Sequence, residues 1–166
     1  ARVEDPGLRL CVVGDDGGTG GELRDQVRRF GLDDAVEFTG AILPEEVPGA
    51  LGAMDVVAAP YPPLDRFYFS PLKIFEYMAA GKPIVASAIG QITDLLEHER
   101  PGLLVPAGDV ESLASGLLRL RRDPILAAKL GRSARAEAEA RHSWQDRIRT
   151  VDDLFNSILT HRAEVS

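Results

Sequence analysis

Apolar residues arrive in short bursts, and the stretches between them carry apolar residues at helical spacing. Leu8–Val13 is a compact apolar run followed by glycines, the pattern of a buried parallel strand. Glu22–Phe30 spaces Leu23, Val27 and Phe30 along a helix and stops at Gly31. Ala35–Thr39 predicts a short strand closed by Gly40, Pro44–Met54 a helix, and Asp55–Pro60 the next strand. A helix opening near Ser70 leads to a strand at Pro83–Ser87, a helix at Ile92–His98 and a last strand at Leu103–Val105. Beyond it the pattern is helical only. Asp109 caps a helix with Leu113, Leu117 and Leu120 on one side, Asp123-Pro124 starts another, and Trp144–Leu159 forms a third. Five strands separated by helices predict an α/β fold, a Rossmann-like doubly wound parallel sheet in one domain covering residues 1–166, with a helical tail. Such sheets bind ligands outside the carboxyl ends of their strands, so the turns after Val13, Thr39, Pro60, Ser87 and Val105 are the places to search.

Composition narrows the function classes. With 45% hydrophobic and 27% charged residues, 166 residues suit one globular domain. The net charge is −7, with 9 Lys/Arg against 19 Asp/Glu in residues 1–118 and 10 against 7 in the rest. An acidic front of this kind argues against a nucleic-acid partner held by its phosphates. The single cysteine, Cys11, lies in an apolar run and reads as a buried thiol, which excludes an internal disulfide and favours a cytoplasmic setting. No apolar run is long enough to span a bilayer. The polar lead-in without Met reads as the start of a fragment of something longer.

One segment resists a purely structural reading. Ser70-Pro71-Leu72-Lys73-Ile74-Phe75-Glu76-Tyr77-Met78-Ala79-Ala80-Gly81 predicts a helix capped by Ser70, with Pro71 at its first position and Gly81 ending it. Leu72, Phe75 and Ala79 share the expected buried face with Ile74 and Met78 beside them; Lys73, Glu76, Tyr77 and Ala80 fall on the other. A Lys73–Glu76 surface pair would contribute about 0.2–0.5 kcal/mol and runs against the helix dipole. An anion explains the order better. Free helix N–H groups, the Ser70 hydroxyl and the Lys73 ammonium suit a phosphate, and Glu76, about 4.5 Å further along the axis, suits two neighbouring hydroxyls. Phosphate beside a vicinal diol describes a nucleotide ribose. The residues alone leave the nucleotide and the solvated-helix readings level.

Several further segments carry weaker signals. Gly14-Asp15-Asp16-Gly17-Gly18-Thr19-Gly20-Gly21 invites a dinucleotide-binding reading, but Leu23 stands where a third glycine belongs, and Glu37 sits within a strand instead of at its end. Asp15 and Asp16 lack a third metal ligand, so no metal site is assigned. His98, His142 and His161 read as surface histidines, and Trp144 as packing the last helix onto the body. The aromatic loop from Tyr61 to Phe69 stands just before the proposed phosphate site, where it is either a packed surface loop or a gate touching the ligand.

SPLKIFEYMAAGKPIVAS resembles the donor-site segment of the retaining glycosyltransferases of family 4 (group 1), which have the two-domain GT-B fold. The similarity extends over nearly the whole chain: Val13-Gly14-Asp15, Val36-Glu37-Phe38-Thr39-Gly40, Asp55–Pro60, Gly102–Asp109 and Ser143-Trp144 match family segments in order. The resemblance implies the C-terminal, donor-binding half of an enzyme that moves a sugar from a nucleotide diphosphate sugar to an acceptor hydroxyl. The donor is a substrate; no cofactor and no metal are implied. The family's ribose-holding acid maps on Glu76, its phosphate-contacting region on Ser70, Pro71, Leu72 and Lys73, its strand–glycine turn on Gly14, and its base-facing loop on Thr39, Gly40 and Ala41. Lys73 and Glu76 are the expected donor-stabilising residues. The family's first acidic residue, which touches the donor sugar, falls on Tyr68 here. That departure motivates an alternative, a non-catalytic module kept as a scaffold or regulatory partner. The expected partners are the nucleotide-sugar donor and an N-terminal acceptor domain of the same chain, preceded within this domain by a strand and helix bearing a basic pair. A cytoplasmic enzyme at the inner face of the membrane is the expected setting.

Overall fold

A computed structural model describes residues 5–14, 21–65, 70–97 and 99–164, with side chains as far as residue 159. Five strands, β1 (Leu10–Val13), β2 (Val36–Gly40), β3 (Val57–Ala59), β4 (Ile84–Ala88) and β5 (Leu103–Pro106), alternate with helices α1 (Glu22–Arg29), α2 (Val47–Ala53), α3 (Leu72–Ala79) and α4 (Gln91–Leu95). A single 3₁₀ turn, Pro44–Glu46, leads into α2, and α5 (Val110–Arg122), α6 (Pro124–Arg141) and α7 (Trp144–Glu164) complete the chain. The α/β alternation is the one the pattern predicts. Every ladder is parallel, but the strands form two: β1 with β2, and β3-β4-β5. The pattern identifies strands; which edges meet is decided by tertiary packing.

Register fixes the faces of the larger sheet. Val57 and Ala59 lie beside Ile84 and Ala86, and Val85 and Ser87 beside Leu103 and Val105. Ile84 and Ala86 turn into one buried cluster with Leu51, Ile74, Met78, Ile92 and Leu96, under α2, α3 and α4. Val85, Leu103 and Val105 turn the other way, against Leu120 and Leu130 of α5 and α6. Helices therefore cover both faces, as a parallel sheet requires. At about 25 cal/mol per Å² of apolar area removed from water, these two clusters are the main driving term for folding. The β1–α1–β2 region is thinner: Val27 and Ala35 are its buried apolar residues among those described.

Three helix expectations hold at the level of atoms. Asp109 Oδ1 accepts from the Ser112 backbone N–H at 2.9 Å and Asp123 Oδ1 from that of Leu126 at 2.9 Å, so both caps form. Gly81, at φ +65°, ends α3; the Gly81 and Lys82 N–H groups donate back to the Met78 and Tyr77 carbonyls. Three others are corrected. Trp144 is 77% exposed and does not pack α7 onto the body. Cys11 is half-buried, on a strand that pairs with β2 alone among the described residues; desolvation, with Glu37 nearby, raises its pKa. His142 is not a surface histidine: it stacks edge-on against Phe75 of α3, ring centroids 5.1 Å apart, with its Nδ1 buried. Among the described residues no helix is long and apolar enough to cross a membrane.

Candidate functional site

The start of α3 differs from the sequence expectation. Its first helical residue is Leu72, Pro71 is the half-in residue at φ −80° and ψ 71°, and no side chain caps it, so Ser70 is exposed and outside the cap position. The reason is tertiary packing: Pro71 is fully buried, and the chain enters the helix through Leu72 N–H to Ser70 O and Ile74 N–H to Pro71 O. The buried face is also narrower than expected. Ile74 and Met78 are fully buried, Phe75 is half-buried, and Leu72 and Ala79 are exposed. Lys73 and Glu76 remain on the open flank as expected, both exposed. Tyr77 is half-buried, its hydroxyl 3.4 Å from the Ala58 carbonyl of β3. Burial, followed by the charges of Glu76 and Tyr61, pushes its pKa upward.

Lys73 does not pair with Glu76 among the described ion pairs. Its Nζ stands over the Tyr61 ring, 5.2 Å from the centroid. Such a contact at an exposed site contributes about 0.5–1 kcal/mol and leaves the three ammonium N–H donors free for an anion. Tyr61 lies two residues beyond β3, so Lys73 is at the rim where the strands of the larger sheet end. The rim is tied together by Ser87, the buried polar side chain of the described residues. Its hydroxyl accepts from the Tyr61 N–H at 2.8 Å and donates to the Tyr61 carbonyl at 3.1 Å. The Gly108 N–H donates to that same carbonyl at 3.0 Å. Gly108 sits at φ +77°, and a Cβ there would come within 2.7 Å of Pro63 Cδ, so the loop after β3 lies directly on the turn after β5. Ser87 carries a readable signal, a lone hydroxyl at the end of an apolar strand, which the sequence analysis left unused.

Lys82 went unnoticed too. Its Nζ donates to the carbonyls of Gly52 at 2.7 Å and Met54 at 2.6 Å, closing the C-terminus of α2. Arg135 of α6 donates to the Ala79 carbonyl at the end of α3. The C-terminal end of α3 and that of α2 are therefore held by cations that play no part in the rim.

The other expected site residues gather at the ends of β1 and β2. The Gly14 N–H donates to the Gly40 carbonyl at 3.0 Å, with Thr39 Oγ1 at 3.4 Å. Gly14 and Gly40 hold φ of +108° and +69°, and a Cβ at either would meet nothing within 4 Å among the described residues. This is an open patch of backbone, with Ala41 exposed beside it. It belongs to the smaller ladder, and no strand pairing joins it to the Lys73 rim. Tyr68, with Arg66, Phe67 and Phe69, lies outside the described residues, as do Asp15, Asp16, the glycines from Gly17 to Gly20, and His98; the side chain of His161 is likewise not described. Among the described residues no group of three or more His, Cys, Asp or Glu side chains could hold a metal ion.

Comparison with known proteins bears on the family and the fold. The chain is 34% identical over 160 residues to the D-inositol 3-phosphate glycosyltransferase of Saccharomonospora viridis, covering 92% of this chain and 35% of that protein. It therefore spans about a third of that relative's length. Among solved structures, Anabaena Alr3699/HepE in complex with UDP-glucose superposes with a TM-score of 0.79 at 29% identity, covering 92% of this chain and 42% of that one. The C-terminal domain of a glycosyl transferase group 1 family protein (LpcC) from Francisella tularensis shares the fold, with a TM-score of 0.73 at 23% identity over 86% of this chain and 74% of that chain. The family model for glycosyl transferases group 1 matches residues 1–123. By that match, the chain belongs to the group 1 glycosyl transferases.

Proposed function

We propose that this domain holds the nucleoside diphosphate of a sugar donor against the rim formed by α3 and the ends of the strands, as the donor half of a retaining glycosyltransferase. The observation that carries the reading is the placement of Lys73: exposed, at the first turn of α3, resting on Tyr61 and not on Glu76. An ammonium in the first turn of α3, at the positive end of the helix dipole, attracts the diphosphate, and in a transfer reaction it would stabilise the charge that develops on the leaving group. Glu76, one turn further, accepts the ribose hydroxyls. The open backbone at Gly14, Thr39, Gly40 and Ala41 receives the base. A solved relative binds UDP-glucose, which makes UDP the first nucleotide to try. The acceptor hydroxyl belongs to the remainder of a longer enzyme, placed at the cytoplasmic face of the membrane, and the donor is held without a metal.

Calorimetry of the 166-residue chain with UDP, GDP and ADP tests the proposal. One of the three should bind, Lys73→Ala and Glu76→Ala should each weaken it about 10-fold (a factor of ten is about 1.4 kcal/mol), and EDTA should leave the affinity unchanged. Binding that neither substitution alters would refute the assignment of the site. The full-length protein should transfer sugar from the matching donor with retention of anomeric configuration, while the 166-residue chain alone should not.

A further inference from the structure

We infer that Ser87 is a positioning residue for the donor site: through the Tyr61 peptide it sets the Tyr61 ring, and the ring sets the ammonium of Lys73. The inference rests on the reading of Lys73 as the diphosphate-binding cation. Each link is a contact in the structure. The Ser87 hydroxyl clamps Tyr61 from both sides, accepting from its N–H at 2.8 Å and donating to its carbonyl at 3.1 Å. The Gly108 N–H holds the same carbonyl at 3.0 Å, so the ends of β3, β4 and β5 converge on the backbone of one residue. Beyond that peptide the Tyr61 side chain packs on the apolar cluster that contains Ile74 and Met78 of α3. Fixed at its backbone and along its ring, Tyr61 presents a face to Lys73 Nζ at 5.2 Å from the centroid.

The chemistry explains why such a chain of contacts matters. A lysine side chain has four rotatable bonds and, on an exposed helix flank, samples many positions, so an unassisted ammonium would spend little time where a diphosphate needs it. Resting it on a ring face restricts those positions without consuming any N–H donor. A ring carried by a loose loop would give no such restriction. Here the loop leaves the sheet through Pro60, Tyr61, Pro62 and Pro63, and the clamp acts at the first residue that bears an N–H after the strand. A buried hydroxyl that both donates to and accepts from the backbone of one residue is a specific device; alanine would abolish both bonds.

The experiment uses lysine labelled with ¹³C in the 166-residue chain. Only Lys73, Lys82 and Lys129 then report, and a ring face beneath Lys73 shifts its ε-methylene signals upfield. Ser87→Ala should move those signals toward the position of the exposed Lys129, Tyr61→Leu should abolish the shift, and Ser87→Thr, which restores the hydroxyl, should return it. Inorganic pyrophosphate, a probe indifferent to base identity, should bind several-fold more weakly to Ser87→Ala than to the parent, with little further loss when Lys73→Ala is added. An unchanged Lys73 signal in Ser87→Ala would overturn the inference, as would an equal loss of pyrophosphate affinity with and without Lys73. If the parent chain binds neither pyrophosphate nor any of UDP, GDP and ADP, the donor-site reading fails, and the ring shift still decides whether Ser87 positions Lys73.

Discussion

The two ladders of this molecule end in two different kinds of surface. At the end of β1 and β2 the expected ligand contacts are backbone: Gly14 and Gly40 at positive φ, with open space where side chains would be. At the end of β3, β4 and β5 they are side chains: Lys73 over Tyr61, Tyr61 clamped by Ser87, Glu76 alongside. The packing beneath differs in the same sense. The second surface rests on two clusters containing Ile74, Met78, Ile84, Val85 and Leu130, all fully buried, whereas Val27 and Ala35 are the buried apolar residues described under the first. A charged group can act at a fixed place only if its support is rigid, and a backbone patch that follows the shape of a flat base has less need of it.

That contrast can be broken by mutation. Ile74→Ala should cost about 2–5 kcal/mol in urea unfolding, because it empties a fully buried position under the site helix. Val27→Ala, at a position 7% exposed in the thinner region, should cost about 1–2 kcal/mol, two methyl-sized groups at about 0.8 each. A Val27 cost equal to or above that of Ile74 would end the distinction between a packed and a thin half.

Next in size is Gly131→Ala. A Cβ there would fall 2.3 Å from the Gly81 carbonyl, backbone against backbone where α6 crosses the end of α3. Separation of those elements should cost about 1–3 kcal/mol and lower the melting temperature. A neutral Gly131→Ala would mean that α3 is not held where the site needs it.

The smallest effect concerns pH at the seam between α3 and α6. His142 is held below its ordinary pKa of 6.5 by burial first and then by Arg147, with Glu137 opposing and Arg141 adding to the depression. Its partner across the seam is the Phe75 ring, which offers no acceptor to a second N–H. The folded state therefore binds fewer protons than the unfolded state. This contribution to stability is fully present above pH 6.5 and is lost as pH falls through the lowered value. Urea midpoints should decline between about pH 7.5 and about 5.5 in the parent, and the decline should be shallower in His142→Phe.

The sequence was most legible where apolar spacing and end signals coincide. Asp109, Asp123 and Gly81 each mark a helix boundary that the structure places as expected, because capping is local chemistry. At Ser70-Pro71 the same reasoning placed the helix start one residue early. Burial of Pro71 is a tertiary fact and it overrides the preference of serine for a cap. The exposed position of Lys73 and Glu76 followed from spacing alone. What Lys73 touches did not, since Tyr61 and Ser87 are 12 and 14 residues away in the chain and meet it only through the sheet. Trp144 shows the opposite failure. A large aromatic at a helix start suggested packing, and the structure leaves it exposed, as it leaves Ile148 and Phe155 on the same helix. The role of Gly14 and Gly40 lies in backbone shape, which residue identity conveys only as permission for positive φ.

The account turns on whether a diphosphate docks at Lys73. Titration of the lysine-labelled chain with UDP, followed by NMR, addresses it directly, since three lysines give separable signals. The Lys73 resonances should move progressively to saturation, while those of Lys82, engaged with the Gly52 and Met54 carbonyls, and of Lys129 stay in place. Saturable UDP binding that leaves the Lys73 resonances unmoved would contradict the account.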